Sequence, residues 1–212
     1  MSHSVPDAPE FGQPLPIRPS PEVLDFLALR RSASAATLQA PGPSPDELAT
    51  LLRLASRAPD HGKLAPWRFV VLEGENKGAF IAGLDRVAAG RPDAAKAAAK
   101  LFKIRIPPTT VAVISRAADG GEIPLWEQQL SAGAVCTILI IAAQAMGYGA
   151  NWITDWYAYD EAAGRLLGLA PGERVAGFVH IGTPGEAPQE RVRPDLAAVA
   201  APWRGRVGAA GD

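Results

Sequence analysis

The stretch WEQQLSAGAVCTILIIAAQAM, Trp126 to Met146, decides the fold. It reads as one long helix that is apolar nearly all round after Ser131, and such a helix belongs at the centre of a protein. Gly147 and Gly149 close it. Its most apolar part, Ala132 to Met146, falls short of the roughly 20 residues that span a bilayer, so a buried helix is the better reading. Working outward, Arg68–Glu73, Thr109–Ser115 and Arg174–Ile181 read as strands, the second rich in β-branched residues. Residues 75–89, 92–104 and 160–167 read as helices, and residues 150–158 as an aromatic loop. Ser44-Pro45-Asp46-Glu47 is a helix start with a capping box, and Leu48, Leu51, Leu52 and Ala55 then share one face. A short helix precedes it from Glu22 to Arg30-Arg31. Few strands separated by helices mean an α+β or three-layer α/β domain with a small sheet.

The chain has 212 residues with 48% hydrophobic and 20% charged, a globular composition with room for one real core. A formal charge of -1 argues against a general nucleic-acid binder. Cys136 is the single cysteine, which excludes an intrachain disulfide framework and multi-cysteine metal sites; in the middle of the apolar helix it reads as an inert buried thiol. Residues 1–21 read as a disordered Pro-rich tail without the apolar core of a signal peptide, so the expected location is the cytoplasm, with no membrane partner. Residues 22–184 form the expected domain and 185–212 a C-terminal extension. No GxxxxGK[ST], GxSxG or HExxH occurs, and His3, His61 and His180 stand far apart. Gly147-Tyr148-Gly149 follows a helix and lacks the third glycine of a dinucleotide fingerprint.

Five segments remain: Arg30-Arg31-Ser32; Arg57-Ala58-Pro59-Asp60-His61; Pro66-Trp67; Trp126 to Gln129 with Ser131-Ala132-Gly133; and Gly147 to Trp152. In order and spacing, from about Glu22 to about Pro184, they resemble the FMN-dependent nitroreductase family, in particular its small single-domain NAD(P)H nitroreductases. The resemblance implies a three-layer α+β fold: a small, mostly antiparallel sheet flanked by helices, a long central helix, and a domain completed by dimerisation. It implies a homodimer with FMN at the interface, and two-electron transfer from NAD(P)H through the flavin to a nitroaromatic, quinone or similar acceptor by a ping-pong mechanism. By the same resemblance Arg30, Arg31 and Ser32 hold the phosphate and ribityl end, where Arg forks and a hydroxyl suit an anion. Arg57 and His61 reach the flavin held mainly by the partner chain, and Trp152, Ile153 and Thr154 pass the isoalloxazine ring. Arg191 and Arg193 are late basic candidates for the phosphate. Read by themselves, the arginines could equally complement a helix dipole, His61 could be a loop histidine, and Trp126 could pack in the core or line a pocket. Different chemistry on the same scaffold (dehalogenation, enoyl reduction) and a non-catalytic FMN-binding protein also stay open.

Overall fold

The computed structural model describes residues 5–203, so the first four and last nine residues of the expected tails lie outside the described residues. The element that organises the rest is the helix over Leu125–Ala145. It is packed on a five-stranded sheet whose strands all pair antiparallel: β1 (Leu38–Gln39), β2 (Trp67–Leu72), β3 (Thr109–Ser115), β4 (Gly149–Ile153) and β5 (Arg174–Pro184). Strand β3 lies between β2 and β5, in register Val70↔Ala112 and Ala112↔Phe178. Along its far side β5 carries β4 over Phe178–Gly182 and then β1 over Thr183–Pro184. All seven residues of β3 are buried, which fits its Val111–Ile114 apolar run and its central place.

The helices are α1 (Pro21–Leu29), α2 (Pro45–Ala55), α3 (Gly74–Ala89), α4 (Ala94–Lys100), α5 (Phe102–Arg105), α6 (Leu125–Ala145), α7 (Glu161–Leu166) and α8 (Leu196–Val199). Side chains alternate across the sheet, so each face has its own core. On one face Val111, Val113, Val179 and Ile181 pack with Leu48 and Leu51 of α2 and with Val135, Cys136 and Leu139 of α6. On the other, Ala112, Ile114 and Phe178 pack with Phe80 and Leu84 of α3, Leu101, Ile104 and Tyr157. These are the three layers expected from the sequence.

The start of α2 forms as read. The Ser44 hydroxyl accepts from Glu47 N–H, and the Glu47 carboxylate accepts from Ser44 N–H at 2.8 Å. The same carboxylate accepts from the Tyr148 hydroxyl (2.8 Å), which ties this helix start to the exit of α6. By length and hydropathy α6 could cross a membrane, but half of its most apolar window is buried inside this fold. The expected loop at 150–158 is a correction. Its first part is the strand β4, because Trp152 and Ile153 find a partner edge on β5 that lies more than twenty residues away in sequence.

Candidate functional site

Arg30, Arg31 and Ser32 follow directly on α1, and Arg30 N–H closes that helix onto the Phe26 carbonyl. The structure adds a residue that sequence reading missed, Gln144 on the last turn of α6. Arg30 Nε donates to Gln144 Oε1 (3.4 Å), Arg30 Nη2 donates to Ser32 Oγ (3.4 Å), and Gln144 Nε2 donates to the Arg31 carbonyl. Arg31 Nε donates to the Gln189 carbonyl (2.8 Å), so the C-terminal extension lies against the triplet. The Glu190 carboxylate stands 3.8 Å from Arg31 and also accepts from Arg193 Nε (3.1 Å). A cavity of about 370 Å³ opens between Arg31, Ser32, Ser34 and Thr37 on one side and Glu186 and Gln189 on the other. A second of about 370 Å³, mostly apolar, lies between Phe26, Leu29, Arg30, Gln144 and Tyr148. Guanidinium forks, a hydroxyl and an amide converging on cavities fit a phosphate ester with a polyol arm.

The same segment runs beside β4. Ala33 N–H donates to the Ala150 carbonyl (3.1 Å), and Asn151 Nδ2 donates to the Ala33 carbonyl. Gly149 makes this possible, since a Cβ there would stand 2.6 Å from Leu38 Cδ2 and 3.1 Å from Ala33 Cβ. Its role is close packing of these segments, whereas Gly147, at φ 89°, is the residue that turns the chain. Main-chain groups of alternate residues on a strand point the same way. The N–H and C=O of Trp152 therefore face the open side of β4 on which Ala150 meets Ala33, and they stay out of the β5 ladder. Among the described residues the Trp152 N–H has no partner on that side; such an edge N–H is a donor that a planar heterocycle can use, and Ile153 and Thr154 follow it at the strand end.

The Trp152 indole is held by a bulge. Register steps from Val113↔Gly177 to Ile114↔Val175, leaving Ala176 without a ladder partner, and the Ala176 carbonyl accepts from Trp152 Nε1 at 3.2 Å. A Cβ on Gly177 would lie 1.9 Å from that nitrogen, so the ring rests on bare glycine backbone. Its far edge reaches Gly133 of α6.

Arg57 and His61 stand elsewhere. Arg57 is exposed, and its side chain makes no hydrogen bond among the described residues. His61 Nδ1 lies 2.6 Å from Glu127 Oε2 on the first turn of α6. Glu127 and Gln144 are 17 residues apart on that helix, a rise of about 25 Å. Within one chain, Arg30, Arg31 and Ser32 thus stand by the last turn of α6 and His61 by its first, and β4 runs from Gly149 beside Ala33 to Trp152, whose ring reaches Gly133 between those two ends.

Several neighbouring side chains have plain structural places. Trp67 is a packing residue whose Nε1 donates to Ser131 Oγ (3.2 Å). Trp126 is 67% exposed, so it is not a core residue. Asp155 and Tyr157 are buried, and Tyr157 with Trp156 packs in the second core. Burial pushes the Asp155 carboxyl up, but Lys103 (2.7 Å), the Trp156 N–H and Lys100 together hold it below its ordinary value. Cys136 is fully buried, and desolvation pushes its thiol up to about 12.

A match to the model of the Nitroreductase family covers residues 27–183. The Escherichia coli (strain K12) protein named "Putative NAD(P)H nitroreductase YdjA" is 34% identical over 165 residues, 77% of this chain and 88% of that one. A Haemophilus influenzae protein described as an NAD(P)H nitroreductase in the same terms is 31% identical, over 81% of this chain and 94% of its own. Among solved structures, a nitroreductase-like protein from Bacillus cereus superposes with a TM-score of 0.77 at 22% identity, covering 90% of this chain and all of its own. A Desulfovibrio desulfuricans protein solved in complex with FMN gives 0.67 at 20% identity, covering 88% of this chain and all of its own. The fold is the α+β fold of these structures, and the family match with these relatives makes the protein an oxidoreductase. The chain belongs to the nitroreductase family.

Proposed function

We propose that this protein is an FMN-dependent oxidoreductase, working as a homodimer in the cytoplasm with FMN at the subunit interface. The observation that carries the reading is the split along α6. The donors of Arg30, Arg31, Ser32 and Gln144 stand by the last turn of α6, and β4 leads from them to the region of the open edge at Trp152–Thr154, while His61 is held by Glu127 on the first turn. A second copy packed two-fold against the first would bring its own Arg57 and His61 to that region. The surface for it exists. Trp126 and Leu130 of α6 and Val23, Leu24, Leu27 and Leu29 of α1 are exposed. Burying such apolar area drives association.

In this reading the triplet and Gln144 anchor the phosphate and ribityl arm, and Trp152 N–H with Ile153 and Thr154 sets the ring. Arg57 and His61 put donors and positive charge where the reduced ring is richest in electrons. Bound FMN would supply two-electron transfer from NADH or NADPH to a nitroaromatic, quinone or similar acceptor, donor and acceptor using one face in turn by a ping-pong mechanism. The names of the Escherichia coli and Haemophilus influenzae relatives support the donor and the acceptor class, and the Desulfovibrio desulfuricans complex supports the cofactor.

The test is an anaerobic absorbance titration of the FMN-reconstituted protein with NADH and then NADPH, alongside light scattering. Bleaching of bound flavin by either donor and a mass twice 22.2 kDa are expected. Failure to bind FMN, or a mass of 22.2 kDa, refutes the reading.

A further inference from the structure

The contact between His61 and Glu127 is unexplained by the roles above. His61 opens a loop in which Gly62, Lys63 and Ala65 take left-handed backbone, at φ 74°, 57° and 44°. The main chain here is well held. The Asp60 carboxylate accepts from Leu64 N–H (3.2 Å) and Ala65 N–H (2.8 Å), and the Pro59 carbonyl accepts from the Ser131 hydroxyl (2.7 Å). None of these bonds reaches the imidazole. Glu127 does, at 2.6 Å from Nδ1. Both side chains are largely exposed, 61% and 46%, and an exposed pair of this kind adds little to stability. What it does fix is which ring nitrogen faces α6 and which faces away.

We propose that Glu127 is a positioning residue for His61, turning Nε2 out toward the cofactor. The proposal rests on the reading of His61 as a flavin contact. An ionised carboxylate can only accept, so Nδ1 carries the hydrogen whether the ring is neutral or charged. Nε2 is then an acceptor on the neutral ring and a donor on the charged one, and it is the atom free to meet a ligand. The competing account gives Glu127 a place in the first turn of α6, where a carboxylate complements the helix dipole. That account demands nothing of His61, so the two separate experimentally.

The experiment is a cycle of wild type, His61→Ala, Glu127→Ala and the double variant. FMN dissociation constants come from flavin fluorescence, and nitrogen NMR reads the His61 ring in FMN-free protein. Loss of one charge-assisted contact weakens FMN binding about tenfold in His61→Ala, and loss of its orientation about threefold in Glu127→Ala. The double variant binds no more weakly than His61→Ala. The neutral ring carries its hydrogen on Nδ1 in wild type and in Glu127→Gln, whose amide oxygen still accepts, and on Nε2 in Glu127→Ala. Glu127→Ala binding FMN like wild type while His61→Ala is weakened overturns the proposal, as do additive losses in the double variant or an Nε2–H ring in wild type. If His61→Ala itself binds FMN like wild type, the flavin contact of His61 falls and the positioning role falls with it. A lowered melting temperature of Glu127→Ala with an unchanged ring tautomer assigns Glu127 to the helix alone.

Discussion

Lys77, on α3, is 5% exposed and has no carboxylate partner among the described residues. Its Nζ donates to the Pro107 carbonyl and to Thr110 Oγ1 (3.1 Å), and Thr110 Oγ1 lies 2.9 Å from His180 Nδ1. Desolvation pulls the Lys77 amine from its ordinary 10.5 down to about 8. That gap is worth about 3 kcal/mol. The unfolded chain binds the proton more tightly, so Lys77 costs stability by that amount below about pH 8, and the cost fades as pH rises toward 10.5. Lys77→Met keeps the stem and removes the titration. Urea unfolding followed by circular dichroism, from about pH 7 to about pH 10.5, measures the difference between the two proteins. Wild type gains about 3 kcal/mol on Lys77→Met across that window, and the difference is flat below it. Cys136 and Tyr148 are both pushed up to about 12, chiefly by burial, which lowers the stability of both proteins in alkali and cancels in the comparison. Parallel profiles from pH 8 to 10.5 would refute the burial of a charged Lys77. His180 adds a separate acid limb. Burial and then Lys77 hold its imidazole down to about 3, so stability falls as pH drops from 6.5 toward 3 in wild type. The limb persists in Lys77→Met, since burial is the larger cause.

Three further outcomes follow from the geometry. Gly177→Ala puts a Cβ where the Trp152 indole lies, so the ring swings off the Ala176 carbonyl; tryptophan emission shifts to the red and FMN affinity falls, and an unchanged emission spectrum contradicts this packing. Arg68 forks onto Glu173 with bonds of 2.8 and 2.6 Å, so Arg68→Ala lowers unfolding free energy by about 1–3 kcal/mol in thermal or urea melts near neutral pH. The bond from Arg68 holds the Glu173 carboxyl at about 2, so this contribution is complete above the ordinary 4.5 and vanishes as pH falls toward 2. The Cys136 thiol stays unlabelled by a disulfide reagent in the native protein and reacts only on unfolding; rapid labelling of the folded chain would contradict its burial.

Much of the fold was legible because its signals are local. The strand over Thr109–Ser115 forms with the bounds read from its β-branched run, and the capping box of Ser44 and Glu47 forms as read. What escaped was short and non-local. β1 has two residues, and β4 begins Gly-Ala-Asn, which carries no strand period; both exist because β5 offers an edge to them. The bulge at Ala176 left no mark in the sequence, although the Gly177 it needs is plain to see. Of the candidate site, Arg30, Arg31 and Ser32 were legible as clustered donors. Gln144 was not, because a lone polar residue near the end of an apolar helix has no motif, and its role depends on α1 ending beside it.

By itself, the sequence determined most of the helices, the strands other than β1 and β4, the buried central helix and the segments that resemble the nitroreductase family. Periodicity and residue type act over a few residues, and these features need nothing more. Tertiary structure decided which of those segments meet. It laid Ala33 along Ala150, rested Trp152 on Gly177, and set His61 by Glu127 at the opposite end of α6 from Gln144. Those placements follow from a 21-residue helix acting as a rigid spacer and from a sheet edge that pairs residues distant in sequence. Neither can be summed from local preferences, because each exists only once the whole core has packed.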